Sequence, residues 1–340
     1  MTKGLRIAVA GGGVFGLASA LALARAGAQV SLHDPGPAGA NASGVAAGML
    51  APVSEALTDP TALPHLDLMM AALDLWPDFA RTWDLVLDRR GALLLGDEAR
   101  LATLSLSARH LGIDLPALKA DQLPAFPGGY GAAINGALRV QADQRIDAAS
   151  LGGLAKAAAA LGVRFSVAPP PAQDLDWLVV ATGPSRDLVA EAPELAALEP
   201  IKGHILRYGD LAYDGPVLRG PGAYAAPAAA GLLIGATMET GIADPQVQDD
   251  VASSLARASI AIFPGLADRS WTPAAGVRAA TPDGLPLVGP GRTPGVILAA
   301  GARRNGWLLA PLVGAMVCAY ALGQDPGIWA DRLSAGRFSA

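Results

Sequence analysis

The sequence predicts a doubly wound α/β dinucleotide-binding domain of Rossmann type, with a mixed-sheet lobe inserted into it. Three observations carry that expectation. The chain opens with a short apolar strand at 6–10, a Gly11-Gly12-Gly13-Val14-Phe15-Gly16 turn and an alanine- and leucine-rich helix through Ala26. A second glycine turn, Gly301-Ala302-Arg303-Arg304-Asn305-Gly306-Trp307-Leu308, follows a core strand at 296–300 near the opposite end. Between the two, residues 204–240 alternate short strands, the pattern of a separate mixed sheet.

In the opening unit each glycine has a task. Gly11 permits the tight turn, Gly13 lets backbone approach a pyrophosphate, and Gly16 lets helix pack closely on strand. The helix N-terminus adds N–H groups and a positive dipole for the phosphates. Asp34 ends the next strand, 30–33, where a carboxylate takes ribose hydroxyls. A signal peptide is the competing reading, since 7–24 is unbroken by charge and follows Lys3 and Arg6. Three consecutive glycines, each costing about 1 kcal/mol in a helix relative to alanine, argue against it. No small-residue cleavage site leads to a plausible mature start, and removal would leave Asp34 without its partner turn.

The remaining elements follow in order. Residues 35–52 read as a loop rich in Gly, Ala and Ser, through which backbone comes close to a ligand. Helical pattern runs over 64–87, strand over 90–95 and helix over 101–111. A helix at 148–161 precedes a strand at 163–167, and Pro169-Pro170-Pro171 is a stiff linker. Residues 176–183 form a buried strand suited to a parallel sheet. Short strands at 204–208, 222–226 and 232–237 precede an amphipathic helix over 248–263, and Asp283-Gly284 marks a turn between short strands. The dinucleotide domain is therefore expected from 1–60, 140–203 and 275–340, and the substrate domain from 61–139 and 204–274.

Composition narrows the function. With 340 residues, over half of them apolar, the chain can bury a large core in two domains. A net charge of -5 gives no support to nucleic-acid binding. The single cysteine, Cys318, forbids an internal disulfide and fits a reducing compartment, so a soluble cytoplasmic protein is expected. Residues 307–322 are apolar but shorter than the roughly 20 residues of a membrane span, and Pro311 and Gly314 interrupt them. No histidine or cysteine grouping has metal-ligand spacing, so no metal is expected, and no Ser-His-Asp arrangement suggests acyl chemistry.

Several runs are more specific than the glycine turn. They are Ala46-Ala47-Gly48-Met49-Leu50-Ala51-Pro52, Ile201-Lys202-Gly203, Leu233-Ile234-Gly235-Ala236-Thr237-Met238-Glu239, the stretch from Ala275 to Pro286 containing Arg278, and Arg304-Asn305-Gly306 with Leu308-Leu309-Ala310-Pro311. On these runs the chain resembles, over nearly its whole length, the FAD-dependent D-amino-acid oxidase superfamily, and within it the glycine oxidases of thiamine biosynthesis. The resemblance implies FAD contacts from Val14, Phe15, Asp34, Ala42, Ser43, Ala47, Gly48 and Met49, and from Ala302, Arg303, Arg304, Asn305, Gly306, Trp307 and Leu308. It also implies that the second glycine turn presents N–H groups to the pyrimidine edge of the flavin, stabilising negative charge there. FAD should be non-covalent, because no His or Cys lies in these segments. The chain departs from the pattern in four places, one of them Ala225-Ala226-Pro227-Ala228 after Tyr224, where relatives tend to read apolar-apolar-Pro-Arg. Asp34 stands where relatives usually carry Glu, and only linker occupies the place of a three-stranded meander after 163–167. Gly301-Ala302-Arg303 replaces Gly-His-Phe.

An amino-acid oxidase must hold the substrate Cα against the flavin, so a carboxylate anchor is the residue to seek. Arg278 is the first candidate, because a guanidinium fork matches a carboxylate bidentately; the alternative is a structural arginine paired with Asp283 or a loop carbonyl. Arg304 either supports the anchor or is a turn residue whose neighbours bind flavin. Tyr224 is either a pocket wall with a hydroxyl donor or core packing. Arg303 reads as a solvated or phosphate-facing charge. His204, Lys202 and Glu239 read as structural, although Lys202 lies on a segment able to face the flavin.

The leading expectation is oxidation of glycine or a small amine to the imine, with dioxygen reduced to hydrogen peroxide and the imine serving thiazole synthesis. A D-amino-acid or sarcosine dehydrogenase using a quinone or protein acceptor is the alternative enzyme. A catalytically degenerate FAD-binding subunit is the alternative outside catalysis. The expected partners are a small amino-acid substrate and dioxygen, with no nucleic acid and no membrane; a homo-oligomer is left open.

Overall fold

The computed structural model describes residues 4–37, 39–171 and 173–338. Its first sheet has six strands in the order Leu287–Pro290, Val296–Ala300, Trp177–Val180, Arg6–Ala10, Gln29–His33, Arg164–Ser166. Every neighbouring pair is parallel except the first. Arg6–Ala10 sits in the middle with four of its five residues buried, which is why it reads as a continuous apolar run. Helix Val14–Arg25 packs on the sheet and against Gly306–Ala321. Both helices are apolar nearly all round, as helices buried between layers must be. No helix among the described residues is long and apolar enough to cross a membrane.

The second sheet has nine strands. At one end the long strand Glu199–Tyr208 pairs antiparallel with Thr272–Ala280 along one edge, from Glu199 opposite Ala280 to Arg207 opposite Thr272. Along its other edge it pairs with Gly231–Gly235, and the sheet continues through Tyr224–Ala228, Val217–Arg219, Ala92–Gly96, Gly136–Val140 and Ala117–Lys119. A small sheet of Met49–Leu50, Gln144–Ile146 and Leu87–Asp88 lies apart from both.

Several elements differ from the sequence reading for identifiable reasons. The helical stretch at 64–87 is broken into Leu63–His65, Leu66–Asp74 and Trp76–Thr82, because Pro77 has no N–H for the preceding turn and starts a new helix instead. The loop at 35–52 holds a short helix, Ala42–Val45, capped by Asn41 Oδ1, which accepts from the Ser43 and Gly44 amides at 3.1 and 3.2 Å. Pro52, read as the end of that loop, opens helix Pro52–Thr58. Thr272–Ala280 is built from small residues with little strand propensity and is held by its pairing.

Two core memberships cross the boundaries drawn from sequence. The pairing of Glu199–Tyr208 with Thr272–Ala280 runs through both 203 and 275. Leu68, Met69, Leu73 and Trp76 belong to the same core as the opening strand, and the Trp76 Nε1–H donates to the Leu308 carbonyl at 3.0 Å. The helices after residue 61 therefore pack on the first sheet's layer. Between Arg164–Ser166 and Trp177–Val180 the described residues contain no strand, as the linker composition implies.

Candidate active site

Two cavities meet where the sheets face each other, one of about 310 Å3 on the glycine-turn side and one of about 480 Å3 over the nine-stranded sheet. Ala42, Gly276, Arg278, Arg304 and Trp307 line both, so they form one continuous cleft.

The first cavity is built on the opening turn. Gly11 has φ +111°, and a Cβ there would lie 2.2 Å from the Ala181 carbonyl oxygen, so no other residue fits the turn. A Cβ on Gly16 would strike the Gly11 carbonyl at 1.8 Å, which is the close helix packing expected of it; Gly16 itself lines neither cavity. Helix Val14–Arg25 has glycine as its N-cap residue, no capping bond from that position and no acid in its first turn, which leaves its positive end open to an anion apart from the Val14 amide. Gly11, Gly13, Val14, Phe15, Ser43 and Asp34 line this side. The Val14 amide donates to Ser43 Oγ at 3.0 Å, tying the short capped helix to the glycine turn. Asp34 accepts from the Gly12 amide at 2.6 Å and the Gly36 amide at 2.8 Å, which fixes its carboxylate at the cavity wall. Each carboxylate oxygen keeps a further lone pair for a hydroxyl.

The second glycine turn closes the cleft from the other side. Ala302, Arg303, Arg304, Gly306 and Trp307 line the first cavity, and Asn305 lines the second with Ala47, Gly48 and Met49. The turn is stitched to the strand that carries Arg278: the Arg303 amide donates to the Ala279 carbonyl at 2.7 Å, and Asn305 donates to Ala302 at 2.9 Å. Two of the amides expected to face a ligand are therefore engaged within the protein. Gly306 begins helix Gly306–Ala321, whose first-turn N–H groups have no partner within the helix. Leu308 lines neither cavity; its side chain is fully buried in the core.

Arg303 is neither solvated nor turned to the cleft by its charge. Its guanidinium is paired with Asp59, while its backbone sits at φ +48°, a left-handed conformation that costs a non-glycine residue about 1 kcal/mol or more. Arg304 reaches Glu55 at 3.2 Å and Asp59 at 3.6 Å. Arg219 also bonds Glu55, at 2.6 Å. Burial would raise the Glu55 pKa, but the Arg219 and Arg304 charges outweigh it and hold the carboxyl below its ordinary range. Glu55, Asp59 and Arg219 were not singled out from sequence. Their signal was slight: Glu55 is an acid in the first turn of a helix that Pro52 starts, and Arg219 ends a strand before Gly220-Pro221-Gly222.

Arg278 lies at the junction of the cavities. Its guanidinium rests over Gly203, where a Cβ would come within 2.3 Å of Nη1. Among the described residues that Nη1 is buried with no hydrogen-bond partner. The alternative pairing with Asp283 is not made, because Asp283 is taken by Arg337 at 2.8 Å. Burial draws the Arg278 pKa down from the usual arginine value, with the Tyr224 hydroxyl opposing. Tyr224 lines the second cavity with its hydroxyl over Gly235, and burial raises its pKa. Lys202 and His204 line neither cavity. His204 bonds Glu239 at 2.9 Å and accepts the Gln248 amide at 3.0 Å, tying strand to helix as a structural group does.

The sequence profile described as FAD dependent oxidoreductase matches residues 6–320. Glycine oxidase of Geobacillus kaustophilus is 30% identical, covering 93% of this chain and 93% of its own. The crystal structure of glycine oxidase from Geobacillus kaustophilus matches with a TM-score of 0.85 at 25% identity, over 99% of this chain and 100% of that one. The tRNA 5-methylaminomethyl-2-thiouridine biosynthesis bifunctional protein of Caulobacter vibrioides is 31% identical over 90% of this chain, which spans 53% of that protein.

Proposed function

The chain belongs to the FAD-dependent oxidoreductase family that includes the glycine oxidases, and from that premise we propose that it oxidises glycine or another small amino acid or amine to the imine. FAD, when bound, would supply the two-electron oxidant for this reaction, with dioxygen as the final acceptor and hydrogen peroxide as its product. The residues present fit that group: an open helix N-terminus for the pyrophosphate, a fixed carboxylate at Asp34 for the ribose, and a second helix N-terminus at Gly306. Non-covalent binding is part of this reading, supported by the lack of Cys or His among the described residues lining the cleft.

The observation that carries the reading is the buried, unpartnered Nη1 of Arg278. A buried charged donor without a partner is costly, and a substrate carboxylate resolves it with a bidentate pair. Arg278 would hold the carboxylate, and the Tyr224 hydroxyl would donate to the same group from the sheet below. Glu55 keeps Arg304 turned along the cleft wall. The amine must be neutral when the Cα–H bond breaks, so that its lone pair forms the C=N bond as hydride leaves. The imine then serves thiazole synthesis or hydrolyses to glyoxylate. The test is an anaerobic panel of glycine, N-methylglycine and D-alanine scored for bleaching of the flavin absorbance, followed by oxygen uptake. Bleaching by at least one, with oxygen consumed on reopening to air, supports the reading. An absorbance unchanged by every small amino acid overturns it, and bleaching without oxygen uptake would overturn dioxygen as the acceptor.

A further inference from the structure

One wall of the larger cavity holds a second buried guanidinium that the reading above does not use. Arg219 is 6% exposed and lines that cavity. Its Nη2 donates to Glu55 at 2.6 Å, while its Nη1 is buried with no hydrogen-bond partner among the described residues. Arg278 Nη1, in the same cavity, is in the same condition. A glycine-sized substrate has one carboxylate and satisfies one of them.

The sheet explains how the two face a common space. Directly opposed residues of an antiparallel pair share a face. Arg219 is opposite Tyr224, Tyr224 is opposite Gly235, and Gly235 is opposite Ile205. Gly203, two residues before Ile205, shares its face and is opposite Gly276, and Arg278 lies two residues beyond Gly276. Arg219 and Arg278 therefore rise from one face of one sheet. They are four strand spacings apart and four residues displaced along the strands, on the order of 23 Å between backbones, and the Arg278 guanidinium reaches back over Gly203 to shorten that gap. Arg219, Tyr224, Arg278 and Arg304 all line the larger cavity.

Charge is unbalanced in the same direction. Arg100, Arg219, Arg278 and Arg304 line the cavity, against a single acid, Glu55. Glu55 Oε1 serves both Arg219 and Arg304, while its Oε2 is buried with no hydrogen-bond partner among the described residues, so one carboxylate faces four guanidinium groups. Asp143, the other acid acting on Arg219, gives its oxygens to the Val53 and Ser54 amides.

We propose that the site takes amino acids bearing a second carboxylate, with Arg278 holding the first and Arg219 the second. This rests on the amino-acid oxidase reading and names its substrate class. The second carboxylate has two chemical sources: a carboxymethyl group on the amine nitrogen, or the side chain of an acidic amino acid. Either adds a charge-assisted pair that glycine lacks.

The experiment uses the FAD-loaded protein and two readouts. Malonate and succinate, which cannot be oxidised, are titrated against acetate and propionate by the shift in the flavin spectrum and by thermal stabilisation. Iminodiacetate against N-methylglycine, and D-aspartate against D-asparagine, are compared by anaerobic flavin bleaching, and the pair showing the preference identifies the source. The expected result is a preference for the dicarboxylate of about tenfold or more. It should shrink to less than about threefold in Arg219→Gln and return in part in Arg219→Lys. A wild-type preference below about threefold overturns the proposal, whether or not the variants fold. A preference unchanged in Arg219→Gln also overturns it, and makes Arg219 a counter-ion to Glu55 only. If malonate is preferred but no amine bleaches the flavin, the ligand class stands and the oxidase reading falls. If glycine bleaches the flavin without any dicarboxylate preference, only this proposal falls.

Discussion

At the scale of single residues, the cleft is set by places where a side chain is missing as much as by those present. Gly203 leaves the room that the Arg278 guanidinium fills. Gly203→Ala should push that guanidinium aside, since the nearest atoms are the far end of a flexible chain. KM for glycine is then expected to rise about tenfold or more while FAD stays bound; an unchanged KM would show that Arg278 is not the anchor. Asp34 is tied to the Gly12 and Gly36 amides and should serve the ribose from that position. Asp34→Ala is expected to weaken FAD retention, measured by the flavin left after gel filtration, and Asp34→Glu to keep most of it. Undiminished retention in the alanine variant would remove Asp34 from the cofactor site. That Asp34 and Arg278 line the cleft was legible in sequence, because one follows a glycine turn at a fixed spacing and the other lies in a specific run. Glu55 and Arg219 were not, because a buried ion pair between residues 164 apart leaves no local pattern.

At the scale of elements, helix Pro52–Thr58 does more than its seven residues suggest. It carries Glu55, its C-cap is Asp59, and its first turn is held by the buried Asp143, which accepts from the Val53 and Ser54 amides at 3.2 and 3.3 Å. Burial pushes the Asp143 carboxyl up to about 6 from an ordinary 3.8, against the lowering pull of Ser54 and Arg219. A carboxyl with a raised folded pKa binds more protons folded than unfolded. Its contribution is therefore fully present below the unfolded value and is lost as pH rises through about 6. The swing is on the order of 3 kcal/mol at most. Replacing it by a group that does not titrate should show this: the stability difference between wild type and Asp143→Asn, followed by thermal melting, is expected to shift against the wild type between pH 4 and pH 7. A pH-independent difference would mean that the carboxyl titrates normally. Elements with strong periodicity or glycine punctuation, such as Val296–Ala300 and Asp249–Ile260, were legible within a few residues. Thr272–Ala280 was not, because its small residues acquire strand character only from pairing with Glu199–Tyr208.

At the scale of the whole molecule, a six-stranded and a nine-stranded sheet are joined by chain that crosses between them several times, and the cleft lies where they meet. The fold class was legible from its two glycine turns. The domain limits were blurred, because one long strand pair spans two of the drawn boundaries and the helices after residue 61 complete the first core. Since the cofactor would be held by shape and hydrogen bonds across this cleft, unfolding in guanidinium should release all flavin into the filtrate; flavin retained on the denatured chain would contradict non-covalent binding. The most direct test of the central claim is the anaerobic glycine titration of Arg278→Ala beside the wild type, read at the flavin absorbance. With the carboxylate clamp gone, half-reduction should need far more glycine, matching a loss of roughly 2–4 kcal/mol, while bound FAD stays near one per chain. If the variant instead loses FAD, yet reduces at the wild-type glycine concentration per bound flavin, Arg278 is a structural residue and the assignment of this cleft as an amino-acid oxidase site is contradicted.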